Sequence, residues 1–262
     1  MCVRQPAVAG QFYPASAGEL LSTIERLLDN ADGTECAPAP KGLIAPHAGY
    51  VFSGPVAASG YRQLQPFRTR YRRVVLLGPS HHVAFDGLAA SSADYFETPL
   101  GEIPVDVGMI GRLLEEEDVT VIDAAHIQEH SLEVHLPFMQ VVIDEFTLVP
   151  LTIGRCTRHR MATLLETVWG GPETLIVISS DLSHYHPDSE ARMLDAETSR
   201  AIEQLDPEPL TGERACGCVG IGGLIELARK HGLHIDTVDL RNSAQIVGRH
   251  GHVVGYGAYI CH

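Results

Sequence analysis

The sequence predicts an α/β fold: a single domain with a mostly parallel central sheet, helices on both faces and antiparallel strands near the C-terminus. Three observations carry this prediction. Short apolar runs alternate with segments of helical spacing, the last segments alternate polar and apolar residues, and 262 residues is a length that one such sheet can absorb. The whole chain, residues 1–262, is therefore expected to form one domain.

The individual elements follow from hydrophobic periodicity. Continuous apolar runs predict buried strands, at 42–45, 73–77, 146–151 and 174–178. Helical spacing predicts helices at 55–64, with Pro55 in the first turn, and at 106–117, 130–143, 157–169, 190–205 and 213–230. Alternation predicts C-terminal strands at 234–240 and 252–260 around a turn at 248–251, while 85–105 is expected to add short strands or a hairpin and 29–41 to form a loop.

Composition excludes some functions. A formal charge of −14 argues against a nucleic-acid surface, which needs clustered Lys and Arg. The one basic run, at 68–73, flanks a predicted strand and is interpreted as a solvated strand entrance. The sequence has no run of 18 apolar residues and no apolar stretch near residue 1, so we expect a cytoplasmic protein without a membrane partner. Its six cysteines are scattered, which favours free thiols in a reducing compartment.

Histidines follow three of the predicted strands. They lie in LIAPHAGY (His47), VVLLGPSHH (His81 and His82) and LIVISSDLSH (His184). Because ligands bind at the carboxyl ends of the strands in open α/β sheets, these loops are expected to meet at one crevice. Neutral imidazole binds iron, copper, zinc or nickel. By contrast, RHGH at 249–252 is interpreted as a polar turn.

A cysteine could complete the ligand set. Cys216 lies at or near the start of the helix predicted at 213–230, where the helix dipole favours a thiolate. Cys218 is too close in sequence to form an easy disulfide with it. Spacing alone leaves two alternatives for either cysteine, a metal ligand or a buried thiol.

Several other residues are candidates for the same cleft. His130 and Glu133 lie three apart in EHSLEVHLPF, so on a helix they would share one face and could contact substrate, with His135 turned away. The alternative is an ordinary helix N-terminal turn. Asp181 could orient His184 or anchor a helix, and Tyr50 could line the pocket, although a plain turn explains the glycines around it equally well.

Seven blocks of the sequence, in order and over nearly the whole chain, resemble the signature blocks of the Memo family. They are AGQFYPAS, APHAGYVFSG, LGPSHH, FETPL, EHSLEVHLPF, SSDLSH and CGCVGIG. That family is similar to the class III extradiol dioxygenases (LigB-like) in fold and in the placement of its metal site. The resemblance implies that His47, His81 and Cys216 are metal ligands and that His184 occupies the position of the acid/base histidine.

The resemblance also implies cofactors and partners. The dioxygenases use a carboxylate where this chain has Cys216, which weakens the case for ring cleavage more than the case for a metal. A thiolate favours Cu(I) or Zn(II) relative to an oxygen-rich site and still permits Fe(II), the first expectation here. In prokaryotes the family is associated with a radical-SAM protein and an AMMECR1-like protein, which are expected pathway partners.

Three functions remain open from the sequence. The first is a non-haem metal-dependent redox enzyme, dioxygenase-like, that acts on a small molecule or peptide, with His184 and Asp181 catalytic and with His130, Glu133, Tyr50 and His82 toward substrate. The second is a non-catalytic protein that retains the enzyme-like cleft and binds a peptide or partner there, although the acidic charge disfavours phosphopeptides. The third is a zinc hydrolase, because two histidines and one cysteine form a known catalytic zinc ligand set.

Overall fold

Strands and helices alternate along most of the chain in the computed structural model, which describes residues 2–31, 38–248 and 251–262. The strands in these ranges are β1 (Val3–Arg4), β2 (Gly42–Ala45), β3 (Arg73–Pro79), β4 (Leu88–Ala90), β5 (Tyr95–Thr98), β6 (Gly101–Pro104), β7 (Val119–Val121), β8 (Thr147–Ile153), β9 (Thr174–Ser179), β10 (His184–Pro187), β11 (Ile235–Asn242) and β12 (His252–Cys261). The α-helices are α1 (Ala17–Asp29), α2 (Tyr50–Arg62), α3 (Val107–Leu113), α4 (Ala124–Ile127), α5 (Leu136–Val142), α6 (Arg158–Val168), α7 (Asp188–Glu203), α8 (Cys218–His231) and α9 (Ser243–Val247).

The central sheet has nine strands in the described part of the chain. Its order is β10-β12-β2-β9-β3-β8-β4-β7, with β11 also paired to β12. The four middle strands, β2, β9, β3 and β8, are mutually parallel, whereas β12 pairs antiparallel with β2, β10 and β11. The predicted architecture is therefore confirmed, including its antiparallel C-terminal end. The parallel arrangement brings the carboxyl ends of β2, β9 and β3 to one edge of the sheet.

The middle strands are the most buried part of the fold. Every residue of β2 and β9 is buried, and so are the five central residues of β3. Strands covered on both faces read as continuous apolar runs, which is why these three were predicted well. Helix α8 packs closely on α6, since a Cβ added to Gly223 would lie only 2.5 Å from Cγ of Met161.

Several predicted elements need correction. Helix α2 begins at Tyr50, five residues before Pro55, which therefore lies inside the helix and not in its first turn. Proline has no N–H, so position 55 does not donate the helical hydrogen bond to the carbonyl of Val51. Val51 is an exposed residue. The helix predicted at 130–143 is a 3-10 turn, Glu133–His135, followed by α5, and helix α8 starts five residues later than predicted.

The N-terminal part of the chain adds elements that were not predicted. Helix α1 buries Leu20, Ile24 and Leu28, a four-residue spacing typical of one helix face.

The hairpin expected within 85–105 is present as β5 and β6, and with β1 it forms a separate three-stranded sheet.

Some predictions cannot be followed along their whole length. The loop at 29–41, the turn at 248–251 and the RHGH segment fall partly outside the described residues. The cysteines within the described ranges, Cys2, Cys156, Cys216, Cys218 and Cys261, are free. None of the helices in those ranges is both long and apolar enough to cross a membrane.

Candidate metal centre

His47 follows strand β2 by two residues, and its side chain is buried. Its ring Nδ1 lies 2.6 Å from Oγ of Ser179, and that hydroxyl donates its hydrogen to the backbone oxygen of Ser131 at 2.6 Å. Because the hydroxyl hydrogen is already used, Ser179 accepts the Nδ1–H of His47, and the lone pair lies on Nε2. Burial, and then the neighbouring His81 and His130, lowers the pKa of His47 well below its ordinary value, so the ring is neutral and able to bind a metal.

His81 holds the equivalent position after strand β3, and Glu129 fixes its orientation. Oε1 of Glu129 lies 2.8 Å from the ring Nδ1 of His81, and Oε2 accepts the backbone N–H of His81 at 2.6 Å. Burial raises the pKa of Glu129, but the hydrogen bonds from His81 and Ser131 outweigh it and hold the pKa at about 2. An ionised carboxylate can only accept, so His81 donates from Nδ1 and its Nε2 carries the free lone pair.

Cys216 lies two residues before α8, with its sulfur against His47. Its Sγ is 3.5 Å from Nε2 of His47 and accepts the backbone N–H of Asp181 at 3.3 Å. Gly217 permits this approach, because a Cβ there would lie 2.5 Å from the backbone oxygen of Ser179. Burial, and then the charge of Asp181, raises the pKa of the thiol to about 12. Cys216 lies near the helix start, as predicted, and backbone N–H groups of Asp181 and Gly217 lower the pKa of its thiol, but burial outweighs them, so the thiolate needs a cation.

These three side chains form a donor set that fits a metal ion. The ligand atoms of His47, His81 and Cys216 all lie within 4.8 Å of one another. Nε2 of His47 points at the Cys216 sulfur, the neighbouring atom of the same group. Two imidazoles and a sulfur suit iron, copper or zinc. Cys218 does not belong to this group and instead packs partly buried against the core. His81, Glu129 and His130 form a second group within the same distance, but there the carboxylate is already engaged by His81.

Other rings lie beside the donor set. His130 stacks on His81 with ring centroids 4.6 Å apart, and the ring of Phe12 lies 4.8 Å from that of His130. Burial, and then the charge of His81, lowers the pKa of His130. His82 is exposed, with its ring 6.2 Å from that of His130. His130 and His82 are thus placed near the ligands, and their contact with substrate stays a prediction.

Asp181 and His184 both follow strand β9. Oδ1 of Asp181 accepts the backbone N–H of His47 at 2.8 Å, so the carboxylate anchors the loop that carries a ligand. The side-chain hydrogen bond described for Asp181 runs to the His47 loop, and its role toward His184 or a helix stays a prediction. Burial raises the pKa of Asp181, and the hydrogen bond from the backbone N–H of His47, followed by the charge of His184, opposes that rise. The His184 side chain is half-buried.

Three exposed apolar side chains lie close in sequence to the histidines that follow strands β2 and β9. Val51 and Phe52, in the first turn of α2 after the His47 loop, are 67% and 38% exposed. Tyr185, next to His184, is 75% exposed and has a φ of +59°, at a register shift between β10 and β12. Val51, Phe52 and Tyr185 are referred to below as the apolar rim.

Two predicted site residues lie elsewhere. Glu133 does not face the cleft: both its oxygens bind the N-terminal segment, through Ala7, Val8 and Tyr13 among others. It was placed by helical spacing from His130, but that part of the chain is not an α-helix. Tyr50 is buried in the core, where its hydroxyl donates to the backbone oxygen of Val134 at 2.8 Å. His135 is turned away from the cleft, as predicted, and contacts Tyr61.

Sequence reasoning missed three residues of this centre: Glu129, Ser179 and Phe12. Glu129 and Ser179 orient the two histidine ligands, and Phe12 packs on His130. The available signal was their position, since each lies within one of the seven sequence blocks described above. Their contacts join segments far apart in sequence, which spacing does not reveal.

A large open cavity of about 1320 Å³ lies at the amino-terminal end of the parallel strands, opposite the candidate metal centre. Arg72 and Thr147, at the starts of strands β3 and β8, contribute to its lining. The described lining contains no histidine or cysteine, so this cavity is separate from the metal centre.

Comparison with known proteins identifies the family. The family model described as Memo-like protein matches residues 4–260. A MEMO1 family protein from Aeropyrum pernix is 38% identical, covering 98% of this chain and 99% of its own, and one from Aquifex aeolicus is 35% identical, covering 98% of each. A crystal structure of an uncharacterized protein from Escherichia coli K12 has the same fold, with a TM-score of 0.53 at 14% identity, over 82% of this chain and 98% of that one. The chain belongs to the Memo-like protein family.

Proposed function

We propose that this protein is a non-haem metal-dependent redox enzyme whose ion is held by His47, His81 and Cys216. The observation that carries the proposal is the fixed tautomer of both histidines, because Ser179 and Glu129 each take the Nδ1–H and leave Nε2 for a metal. A histidine that merely fills space does not need its ring orientation set in this way. Fe(II) is the first choice of metal, with copper next.

The chain's own residues would divide the work around the ion. When bound, the metal would supply open coordination positions for substrate or oxygen. His184 would accept or donate a proton at the cleft, since it is half-buried and makes none of the ligand contacts described. Asp181 would hold the His47 loop and the Cys216 sulfur in register through its carboxylate and its backbone N–H.

The substrate is proposed to be a small molecule or a peptide that enters over the apolar rim. Val51, Phe52 and Tyr185 would contact its apolar part, and His130 and His82 its polar part. The radical-SAM and AMMECR1-like proteins would act on the same pathway.

A zinc hydrolase is the second candidate, and the ligand set favours it. Two histidines and a cysteine bind zinc in known catalytic sites, where the metal lowers the pKa of bound water. The apolar rim also suits a third function, binding of a protein partner without catalysis.

Metal analysis separates these candidates. The protein would be purified without oxygen, its metal content measured, and its oxygen consumption followed with a reductant and candidate substrates. Stoichiometric iron or copper with oxygen consumption that is absent from His47→Ala supports the proposal. Stoichiometric zinc with hydrolysis supports the second candidate. Failure of wild-type protein to bind any of these metals would refute both enzymes and leave partner binding.

A further inference from the structure

We propose that Arg4 and Glu133 are positioning residues for the metal centre, which act by holding the N-terminal arm (residues 3–13) and the Glu129 main chain in a fixed relation to His81. The inference rests on the proposed metal function. It assigns a role to Glu133, which does not face the cleft, and to a buried arginine more than a hundred residues away in sequence.

Both carboxylate oxygens of Glu133 accept hydrogen bonds from the N-terminal arm. One oxygen accepts the backbone N–H of Ala7 at 2.7 Å and a charged hydrogen bond from Arg4. The other accepts the backbone N–H of Val8 at 3.0 Å and the hydroxyl of Tyr13 at 2.6 Å. Four donors from one segment converge on one carboxylate, so the arm has little freedom to move relative to Glu133.

Arg4 extends the same network to the residues that carry the site. Its Nε and Nη2 donate to the backbone oxygen of His126 at 3.0 and 2.9 Å, and Nη2 also donates to the backbone oxygen of Glu129 at 2.7 Å. The Glu129 main chain is therefore held from one side by Arg4, while its side chain reaches His81 on the other. An uninterrupted series of hydrogen bonds runs from Glu133 to a metal ligand.

The arm has a second contact with the centre. The ring of Phe12 lies 4.8 Å from that of His130, and the backbone oxygen of Phe12 accepts the N–H of Tyr50, three residues after His47. Displacement of the arm would therefore disturb both the His81 side and the His47 side of the cleft. Cys216 lies outside this network, because its described hydrogen bonds run to Ser180, Asp181 and His47.

Stability alone is a weak explanation for such a pair. The two side chains are only 6% and 0% exposed, and a buried ion pair costs desolvation that apolar residues of similar size avoid. What the guanidinium adds is geometry, since its planar donors reach two carbonyls and a carboxylate at once. An ammonium group on a lysine stem retains the charge and does not reproduce that planar arrangement.

Arg4→Lys is the main test, with Arg73→Lys as the matched control. Arg73 pairs with Asp106 at 2.7 Å and is part-buried, but it lies at the opposite end of strand β3 from His81. Co(II) is titrated into folded protein without oxygen, and affinity, visible absorption and thermal unfolding are measured. We expect Arg4→Lys to weaken Co(II) binding by about 10- to 100-fold, the range typical for partners that orient a ligand. At saturation its ligand-field bands should shift, while the thiolate-to-Co(II) band from Cys216 persists.

The outcomes separate the two proposals. If wild-type protein shows no stoichiometric Co(II) and no thiolate band, the metal function itself fails. If wild type binds Co(II) and Arg4→Lys binds it with the same affinity and spectrum, the positioning role is refuted, whatever happens to thermal stability. The same holds if Arg73→Lys weakens binding as much as Arg4→Lys does.

A second variant keeps the test valid if Arg4→Lys does not fold. Arg4→Met combined with Glu133→Gln removes both charges and leaves neither ion buried alone. This double variant should fold and show the same loss of Co(II) affinity, with the thiolate band retained. Wild-type affinity in the folded double variant would overturn the inference.

Discussion

Glu129 binds His81 at two points, with Oε2 on the backbone N–H at 2.6 Å and Oε1 on the ring Nδ1 at 2.8 Å. The carboxylate therefore sets both the course of the loop and the direction of the ring. A histidine held in this way would not have to be ordered when a metal arrives, so a metal would bind at lower entropic cost.

Glu129→Gln should weaken metal binding by about 10- to 100-fold. The amide has one acceptor oxygen where the carboxylate has two, and its NH₂ group would face N–H donors. Asp106→Asn is the matched control, because Asp106 also accepts a backbone N–H and a side-chain donor, far from the cleft. Competition titration with a chelator measures the affinities, and equal loss in both variants would contradict the orienting role.

His47→Ala and His81→Ala should each remove the bound metal and leave the fold largely intact. A ligand in a loop at the end of a strand contributes little to the core, although the buried His47 leaves a small cavity and should cost about 1 to 3 kcal/mol of unfolding free energy. Elemental analysis and circular dichroism check both statements. Wild-type metal content in both variants would show that the centre is assigned incorrectly.

His184→Ala should retain the metal and reduce turnover, by about 100-fold or more if His184 transfers a proton in the slow step. The physical reason is that His184 follows the same strand end as Asp181 and lies outside the donor set. Metal content and turnover are measured on the same sample. Metal loss equal to that of His47→Ala would make His184 a ligand, and unchanged turnover would make it structural.

Cys216→Ser should sharply weaken binding of soft ions, whereas Cys218→Ser should have little effect, because only Cys216 faces His47. Cys216→Asp should shift preference toward harder ions and bring the site nearer to two histidines and a carboxylate. Fe(II), Zn(II) and Cu(I) are titrated in competition without oxygen, with the thiolate band followed in Co(II) protein. Loss of that band in Cys218→Ser alone would mean that the other sulfur is the ligand.

Metal affinity should rise with pH, by about tenfold per unit around neutrality. Burial raises the pKa of the Cys216 thiol to about 12, so a metal that binds the thiolate must displace one proton. His47 adds no further proton, since burial has lowered its pKa. Calorimetry in buffers of different ionisation enthalpy measures the proton released. Cys216→Ser should lose the slope, and a wild-type affinity independent of pH would argue against a thiolate ligand.

The sequence was most informative where topology alone decides position. His47, His81 and Asp181 each follow a parallel strand by two residues, so the sheet brings their backbone positions together independently of any side-chain contact. The burial of strands β2, β3 and β9 made those strands easy to recognise. Helix α1 was not predicted, although Leu20, Ile24 and Leu28 repeat at helical spacing.

Side-chain direction was harder to predict than position along the chain. Glu133 and Tyr50 lie close in sequence to histidines of the centre, but neither side chain faces the cleft. The Glu133 carboxylate binds the N-terminal arm, and the Tyr50 side chain is buried in the core. Helical spacing misled for Glu133 because the chain there forms a short 3-10 turn. Glu129 was passed over for a different reason, because its contact with His81 spans 48 positions and local spacing does not reveal it.

The members of the donor set lie far apart along the chain, which means that folding must precede the binding of a metal. His47 and Cys216 are separated by 169 positions, and strands β2, β3 and β9 must assemble before their loops meet. During synthesis the ribosome must therefore release most of the polypeptide before a complete coordination shell exists. Unlike a zinc finger, whose ion nucleates a small fold, this chain would acquire its metal as a late step, after the scaffold has closed.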